Sequence, residues 1–179
     1  MKLVVSSKKD MKKIKALYNT AFPKDERTLP FFIMKNKVNM GKAKMLSLYD
    51  DEDNFAGFAY LIEGERAIYL SFLAINYNGR GKGMGTFVLK ELKKIYAGKP
   101  VFLALETLDE NAENYAERVK RHNFYLKAGL VDLPYIMREK HVIYMTMGTD
   151  VKITPDDYNI PVNRFLGFFW KKFVNTEMY

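Results

Sequence analysis

Residues 73–96, LAINYNGRGKGMGTFVLKELKKIY, constrain the fold more than any other stretch: an apolar run that reads as a strand passes through four alternating glycines straight into a helix. Gly79, Gly81, Gly83 and Gly85 carry no Cβ, so their backbone N–H groups can converge on a ligand. The helix N-terminus puts roughly half a positive charge behind them, and Arg80 and Lys82 add full charges on the same turn. Phosphate is the ligand such a turn favours. Spacing narrows the choice further. The dinucleotide fingerprint needs glycine at its sixth position, where Met84 or Thr86 stands, and a P-loop would need glycine at Asn76.

The rest of the chain supplies a frame for that turn. Ser7 and Asp10 resemble a capping box before Met11, Ile14, Leu17 and Tyr18, which recur at helical spacing to Ala21. Pro23 interrupts, and Pro30 suits the first position of a second, short helix. Three strand-like runs follow, Lys44 to Tyr49, Phe55 to Glu63 and Ala67 to Ile75, separated by turn residues. After the glycine turn, a helix from Met84 stops at Gly98 and Pro100, and Val101 to Glu106 reads as a buried central strand. Tyr115, Val119, His122 and Leu126 form one stripe of another helix ending at Gly129. Two strands near Tyr135 to Arg138 and Val142 to Met147 close the series. The order predicts an α/β (α+β) fold with a mixed, mostly antiparallel central sheet and helices on both faces. Residues 1–147 form that domain, and 148–179 an extension that packs on it or at an oligomer contact, with Leu166, Phe169, Trp170 and Phe173 as a helix face.

Composition excludes several function classes. The chain has 179 residues, no Cys, and a net charge of +8. Without Cys there is no disulfide, thiolate metal site or enzyme-borne thiol nucleophile. No His pairs with Asp or Glu at metal-ligand spacing, so no metal is expected. His122 sits on the apolar stripe as a satisfied core residue, and His141 fits a turn. No apolar run approaches the ~20 residues a span needs. We therefore expect a soluble, cytoplasmic protein with no membrane partner, monomeric or homodimeric. Positive charge raises a nucleic-acid-binding module as the competing class, but the basic residues run from Lys2 to Lys172 rather than forming one arm.

Arg80-Gly81-Lys82-Gly83-Met84-Gly85 resembles the Arg/Gln-x-x-Gly-x-Gly/Ala signature of the GNAT superfamily of acyl-CoA N-acyltransferases. A second motif, FYLKAGL from Phe124 to Leu130, is similar to the helix-ending Phe-Tyr-x-x-x-Gly-Phe of that family. The resemblance covers Leu3 to Met147 and implies an N-acetyltransferase that binds acetyl-CoA (coenzyme A). Its pyrophosphate cradle falls on Arg80, Gly81, Lys82, Gly83, Met84 and Gly85. The backbone of Leu73, Ala74 and Ile75 would hold the pantetheine arm and thioester, in a wedge where that strand splays from the next. Tyr125 falls where the family donates a proton to the departing thiolate. Tyr77 replaces a common Pro, and Arg118 replaces an Asn that touches the cofactor in many members.

Helical spacing puts Arg118, Arg121 and Tyr125 on one face, where two cations suit a polyphosphate or form a solvated basic surface. A primary amine with pKa near 10.4 is almost fully protonated at pH 7, so a base is useful. Glu106, at the end of the buried strand, is the leading candidate, and Glu63 a weaker one; either can instead be an ordinary strand-end carboxylate. The acceptor is a small-molecule or peptide amine, shaped by residues 23–38 and the C-terminal extension. A catalytically silent CoA-binding protein is the remaining alternative.

Overall fold

A computed structural model describes residues 1–23, 27, 29–79 and 81–179. Arg80 of the expected cradle, and Lys24, Asp25, Glu26 and Thr28 of the expected acceptor segment, lie outside the described residues. The fold is mixed α/β on an eight-stranded, mostly antiparallel sheet. Its residues fall into two compact units, 1–63 with 70–95 and 64–69 with 96–179.

In the first unit, β1 (Lys2–Val5) pairs antiparallel with β2 (Lys44–Tyr49), and β2 with β3 (Phe55–Glu63). Seven consecutive residues of β3, from Ala56 to Ile62, are buried, which is why its sequence is apolar without alternation. The turn between β2 and β3 is built on Asp50, whose carboxylate accepts from the N–H of Glu52 at 3.0 Å and of Asn54 at 2.8 Å. Helix α1 (Met11–Ala21) buries Ile14, Leu17 and Tyr18, three positions of one helical face. Asp10 holds the entry to it, accepting from the Ser7 N–H at 2.7 Å and hydroxyl at 2.9 Å. Helix α2 (Phe31–Asn39) starts one residue after Pro30, whose carbonyl accepts from Ile33 at 2.9 Å. Two buried phenols fix this region: Tyr18 donates to the Leu29 carbonyl and Tyr60 to the Met34 carbonyl, each at 3.1 Å.

The strand β4 (Ile68–Ile75) begins in the second unit and continues in the first. Ile68, Tyr69 and Leu70 are buried, whereas Ser71, Phe72, Leu73 and Ile75 are half-buried. A 3-10 turn at Tyr77–Gly79 leads to α3 (Met84–Ile95), which buries Met84, Val88, Leu89 and Leu92, as the periodicity requires.

In the second unit, Ile68 and Tyr69 pair parallel with Val101 and Phe102 of β5 (Val101–Glu106). This strand is apolar and largely buried, as expected, and pairs antiparallel with β7 (Val142–Gly148). Next to β7 lies β6 (Val131–Glu139), and β6 also carries the three-residue β8 (Thr176–Met178). The β6 register shifts between Asp132 and Ile136, where Pro134 has no N–H to give. That break is why only its later half reads as a strand in the sequence.

Two helical expectations need correcting. In α4 (Tyr115–Lys127) the expected stripe ended on Leu126, yet Leu126 is exposed and Tyr125 is the buried residue. Tyr115, Val119 and His122 of the stripe are half-buried, so the departure is confined to its last position, where Tyr125 takes the place expected of Leu126. Helix α5 (Pro155–Val174) starts at a capping box of Thr154 and Asp157 and breaks at Gly167, whose φ of 68° and ψ of 178° suit only glycine. Phe165 and Leu166 before the break are buried, but Phe169 and Phe173 after it are exposed, so the expected apolar face does not continue.

Candidate functional site

The glycine turn belongs wholly to the first unit, and its four glycines do different work. Gly81 and Gly83 have φ of 76° and 75°, the left-handed region where a side chain is strained, and a Cβ on either would meet nothing within 4 Å. Their backbone is therefore open on its outer side. Gly79 is buried, and a Cβ there would lie 2.6 Å from Met84 Sδ and 3.1 Å from Ile75 Cγ2. It is small so that the turn can close on the end of β4. Gly85 is an ordinary member of α3. The N–H groups of the first turn of α3, from Met84 on, have no intrahelical acceptor, and the helix dipole points at the same place.

Asn76 fastens the other side of the turn, its N–H donating to the Ala56 carbonyl at 2.8 Å and its Nδ2 to the Phe55 carbonyl at 2.7 Å. Gly57 allows β3 to approach β4 there, since a Cβ on it would lie 2.4 Å from the Ala74 carbonyl. A cleft of about 450 Å³ opens beside the turn, lined by Asn76, Tyr77, Asn78, Gly79, Lys82 and Met84 together with Asp50 and Phe55. The first unit thus brings Leu73, Ala74, Ile75, Gly81, Lys82, Gly83, Met84 and Gly85 into one strand–turn–helix. With an exposed Lys82, open space at the Cβ positions of Gly81 and Gly83, and a helix N-terminus, this surface offers what a diphosphate requires.

The other expected residues meet in the second unit. Glu106, whose side chain is 13% exposed, lies between two guanidinium groups: Arg118 Nη2 is 2.9 Å from Oε1, and Arg121 bonds Oε2. Asn114 Nδ2 adds longer contacts to both oxygens. Arg118 is fully committed, with Nε donating to Asn114 Oδ1 at 2.7 Å and Nη1 to the Thr107 carbonyl at 2.9 Å. Arg121 is more exposed, its side chain 43% accessible against 18% for Arg118. Tyr125 is buried, and its hydroxyl makes no hydrogen bond to any described residue. Burial pushes its pKa up to about 12, against the opposing pull of the Arg121 guanidinium. At neutral pH it is a protonated donor with its proton uncommitted.

Glu63 is paired with Lys44 at 2.8 Å. His122 Nε2 meets Asp132 Oδ1 at 2.8 Å, and His141 falls in the turn between β6 and β7. Among the described residues no group of His, Asp and Glu could hold a metal, and no helix is long and apolar enough to cross a membrane. Asn114 and Gly57 escaped the sequence reading. Asn114 carries an i,i+4 spacing to Arg118, a usable signal; Gly57 resembles any strand glycine until its neighbour is known.

A family model described as the acetyltransferase (GNAT) family matches residues 11–129. Comparison with curated proteins finds no match. Among solved structures, a protein from Bacteroides thetaiotaomicron described as a GNAT-family acetyltransferase is 18% identical with a TM-score of 0.68, over 95% of this chain and 99% of that one. An aminoglycoside 6'-N-acetyltransferase complexed with coenzyme A is 17% identical with a TM-score of 0.61, over 87% of this chain and 100% of that one. Spermidine N-acetyltransferase from Vibrio cholerae, in complex with CoA and spermine, is 16% identical with a TM-score of 0.60, over 82% and 93%. At such identities the likeness to these structures is one of fold.

Proposed function

The chain belongs to the GNAT family of acetyltransferases, and from that premise we propose that it transfers an acetyl group from acetyl-CoA to a primary amine by direct attack. The family uses acetyl-CoA, which when bound brings an acetyl group activated as a thioester. The observation that carries the reading is the turn at Gly81 and Gly83, left-handed and open, at the N-terminus of α3. Its amides and Lys82 hold the diphosphate. The half-buried end of β4, from Leu73 to Ile75, offers backbone groups to the pantetheine arm, and one N–H there polarises the carbonyl under attack.

Tyr125 holds at Oη the proton that a departing thiolate takes up. With the phenol at about 12 and a thiol near 8.5, that transfer is uphill by about 5 kcal/mol. This fits within the roughly 17 kcal/mol barrier of one turnover per second. The lone pairs of Glu106 are engaged by Arg118, Arg121 and Asn114, so in our reading it orders this end of β5 and takes the amine proton only through water. Arg118 positions Glu106; Arg121, the more exposed of the two, is the one that can turn to a phosphate.

For the acceptor we propose a small amine with one positive charge. The carboxylates Asp51, Asp53 and Glu63, which would attract a polycation, already pair with the Met1 amine, Lys2 and Lys44. The test is a panel of amines, with spermidine and an aminoglycoside included, scored by release of free CoA. Turnover with mono-amines well above that with polyamines is the expected result. Silence across the panel, or no CoA binding by calorimetry, overturns the reading.

A further inference from the structure

The end of α5 presents a surface that the acyltransfer site does not use. Within six residues Phe168 is 83% exposed, Phe169 64% and Phe173 60%, and Trp170 is partly exposed beside them. Lys171 and Lys172 stand in the same turn, also exposed. The Lys140 N–H donates to the Asn175 carbonyl at 3.0 Å, so the β6–β7 turn brings a further Lys to the end of this helix. No carboxylate occurs in the sequence between Asp157 and Glu177. Contiguous exposed aromatics at this density mark an interaction surface. We infer that the segment from Phe168 to Phe173 anchors the protein reversibly to a bilayer surface rich in anionic headgroups, the rings entering the headgroup boundary and Lys171, Lys172 and Lys140 meeting phosphate.

Charge and ring geometry select this occupant over two others. In a two-fold contact between copies the same patch faces itself, which sets Lys171 and Lys172 near their own counterparts with no carboxylate in the segment to offset them. Single-stranded nucleic acid needs free ring faces to stack on. Here Phe169 packs on Trp170 at 5.6 Å and on Phe173 at 5.1 Å, and Lys172 Nζ covers Phe168 at 4.8 Å from its centroid. The rings thus engage one another and an ammonium group rather than standing apart as separate stacking platforms, and a cluster of rings interleaved with cations suits a headgroup layer. The expectation of no membrane partner rested on the length a span requires, which does not bind a segment lying in the plane of the interface.

Trp170 is the only Trp of the chain, so its fluorescence reports this patch alone. The full chain is mixed with vesicles of phosphatidylcholine, pure or with about 30 mol% phosphatidylserine. With phosphatidylserine, Trp170 emission is expected to move to the blue and the protein to sediment with the vesicles, several-fold less at about 0.5 M salt than at about 0.1 M. Lys171→Glu with Lys172→Glu should weaken binding by at least about 25-fold, near five-fold for each lost cation. Phe168→Ser, Phe169→Ser and Phe173→Ser together should abolish the shift, with circular dichroism confirming an intact fold. The Lys pair, exposed and outside the core, serves if the Phe variant does not fold. Absence of binding at millimolar lipid overturns the proposal, as does binding indifferent to both variants. So does a dimer that the Phe variant dissolves, or quenching by oligodeoxythymidine, if vesicles are not bound.

Discussion

Tyr125 and Gly57 illustrate how single atoms set the site. Replacing Tyr125 by Phe removes one uncommitted proton and leaves the helix face filled. Turnover should drop by about 100-fold, the usual worth of a positioned acid, while CoA affinity measured by calorimetry stays within about two-fold. A pure binder would show no turnover to lose. Because burial raises this phenol to about 12, the wild-type rate should climb with pH as the amine deprotonates and show no fall from the acid below about pH 11. Gly57→Ala acts through backbone. A methyl group 2.4 Å from the Ala74 carbonyl cannot be absorbed by a rotamer change, so β4 must shift. The expected cost is about 1–3 kcal/mol of stability and a raised KM for acetyl-CoA; an unchanged KM would dissociate Ala74 from the cofactor path. At this scale the sequence showed which residue types gather but not what they bond. Arg118 was legible as a cation on the helix face of Tyr125. Its commitment to Glu106 and Thr107 was not, because the end of β5 and the residue after it meet the helix through a connection whose path no local pattern encodes, whereas Asn114 stands at a readable i,i+4 spacing.

Among the elements, strands and helices with a clear period were readable almost to the residue. Those set by a single contact were not. β5 and α3 appear where the apolar runs place them. α4 keeps Tyr115, Val119 and His122 half-buried and departs from its stripe only at the end, where Tyr125 and not Leu126 is buried, and β8 is too short at three residues to show any alternation. α5 teaches the same lesson through Gly167. An Ala there would have to hold φ near 68° and ψ near 178°, a region open in practice to glycine alone. Gly167→Ala should therefore cost about 1–3 kcal/mol, or lower Tm by roughly 2–4 °C per kcal/mol in a chain of this size. It should also redirect Trp170, visible as a change in emission maximum without lipid. A melting temperature within error of wild type would mean that the bend is soft.

For the molecule as a whole, four phenols, three of them buried and Tyr49 hydrogen-bonded to Asp10, contribute to the response to alkali. The hydrogen bond to Asp10 holds Tyr49 near 12, burial holds Tyr125 near 12, and burial raises Tyr60 and Tyr158 as well. In the unfolded chain all four titrate near 10. Below that pH both states are protonated and stability is unaffected; above it the unfolded state loses protons first, so stability falls from about pH 10 through 12 and beyond. Urea midpoints should be level to about pH 10 and then decline, and absorbance at the phenolate band should lag behind that of the denatured protein. A midpoint constant to pH 12 would contradict the burial of Tyr60, Tyr125 and Tyr158 and the bond from Tyr49 to Asp10. The overall architecture was legible because the glycine turn and the helix ending at Gly129 belong to one family pattern. The division of the chain was not, since six residues, 64–69, belong with partners far along the sequence.

That division limits how such a gene can be recombined. The chain leaves its first unit at Gly64, lends Arg66 to Asp157 and the start of β4 to Val101 and Phe102, and returns at Leu70. A chimaera joined to a cousin at Ile95 and Tyr96 would import a C-terminal half whose β5 and buried Asp157 carboxylate expect another parent's hexapeptide. Exchange of a whole unit therefore needs three matched junctions, at 63/64, 69/70 and 95/96.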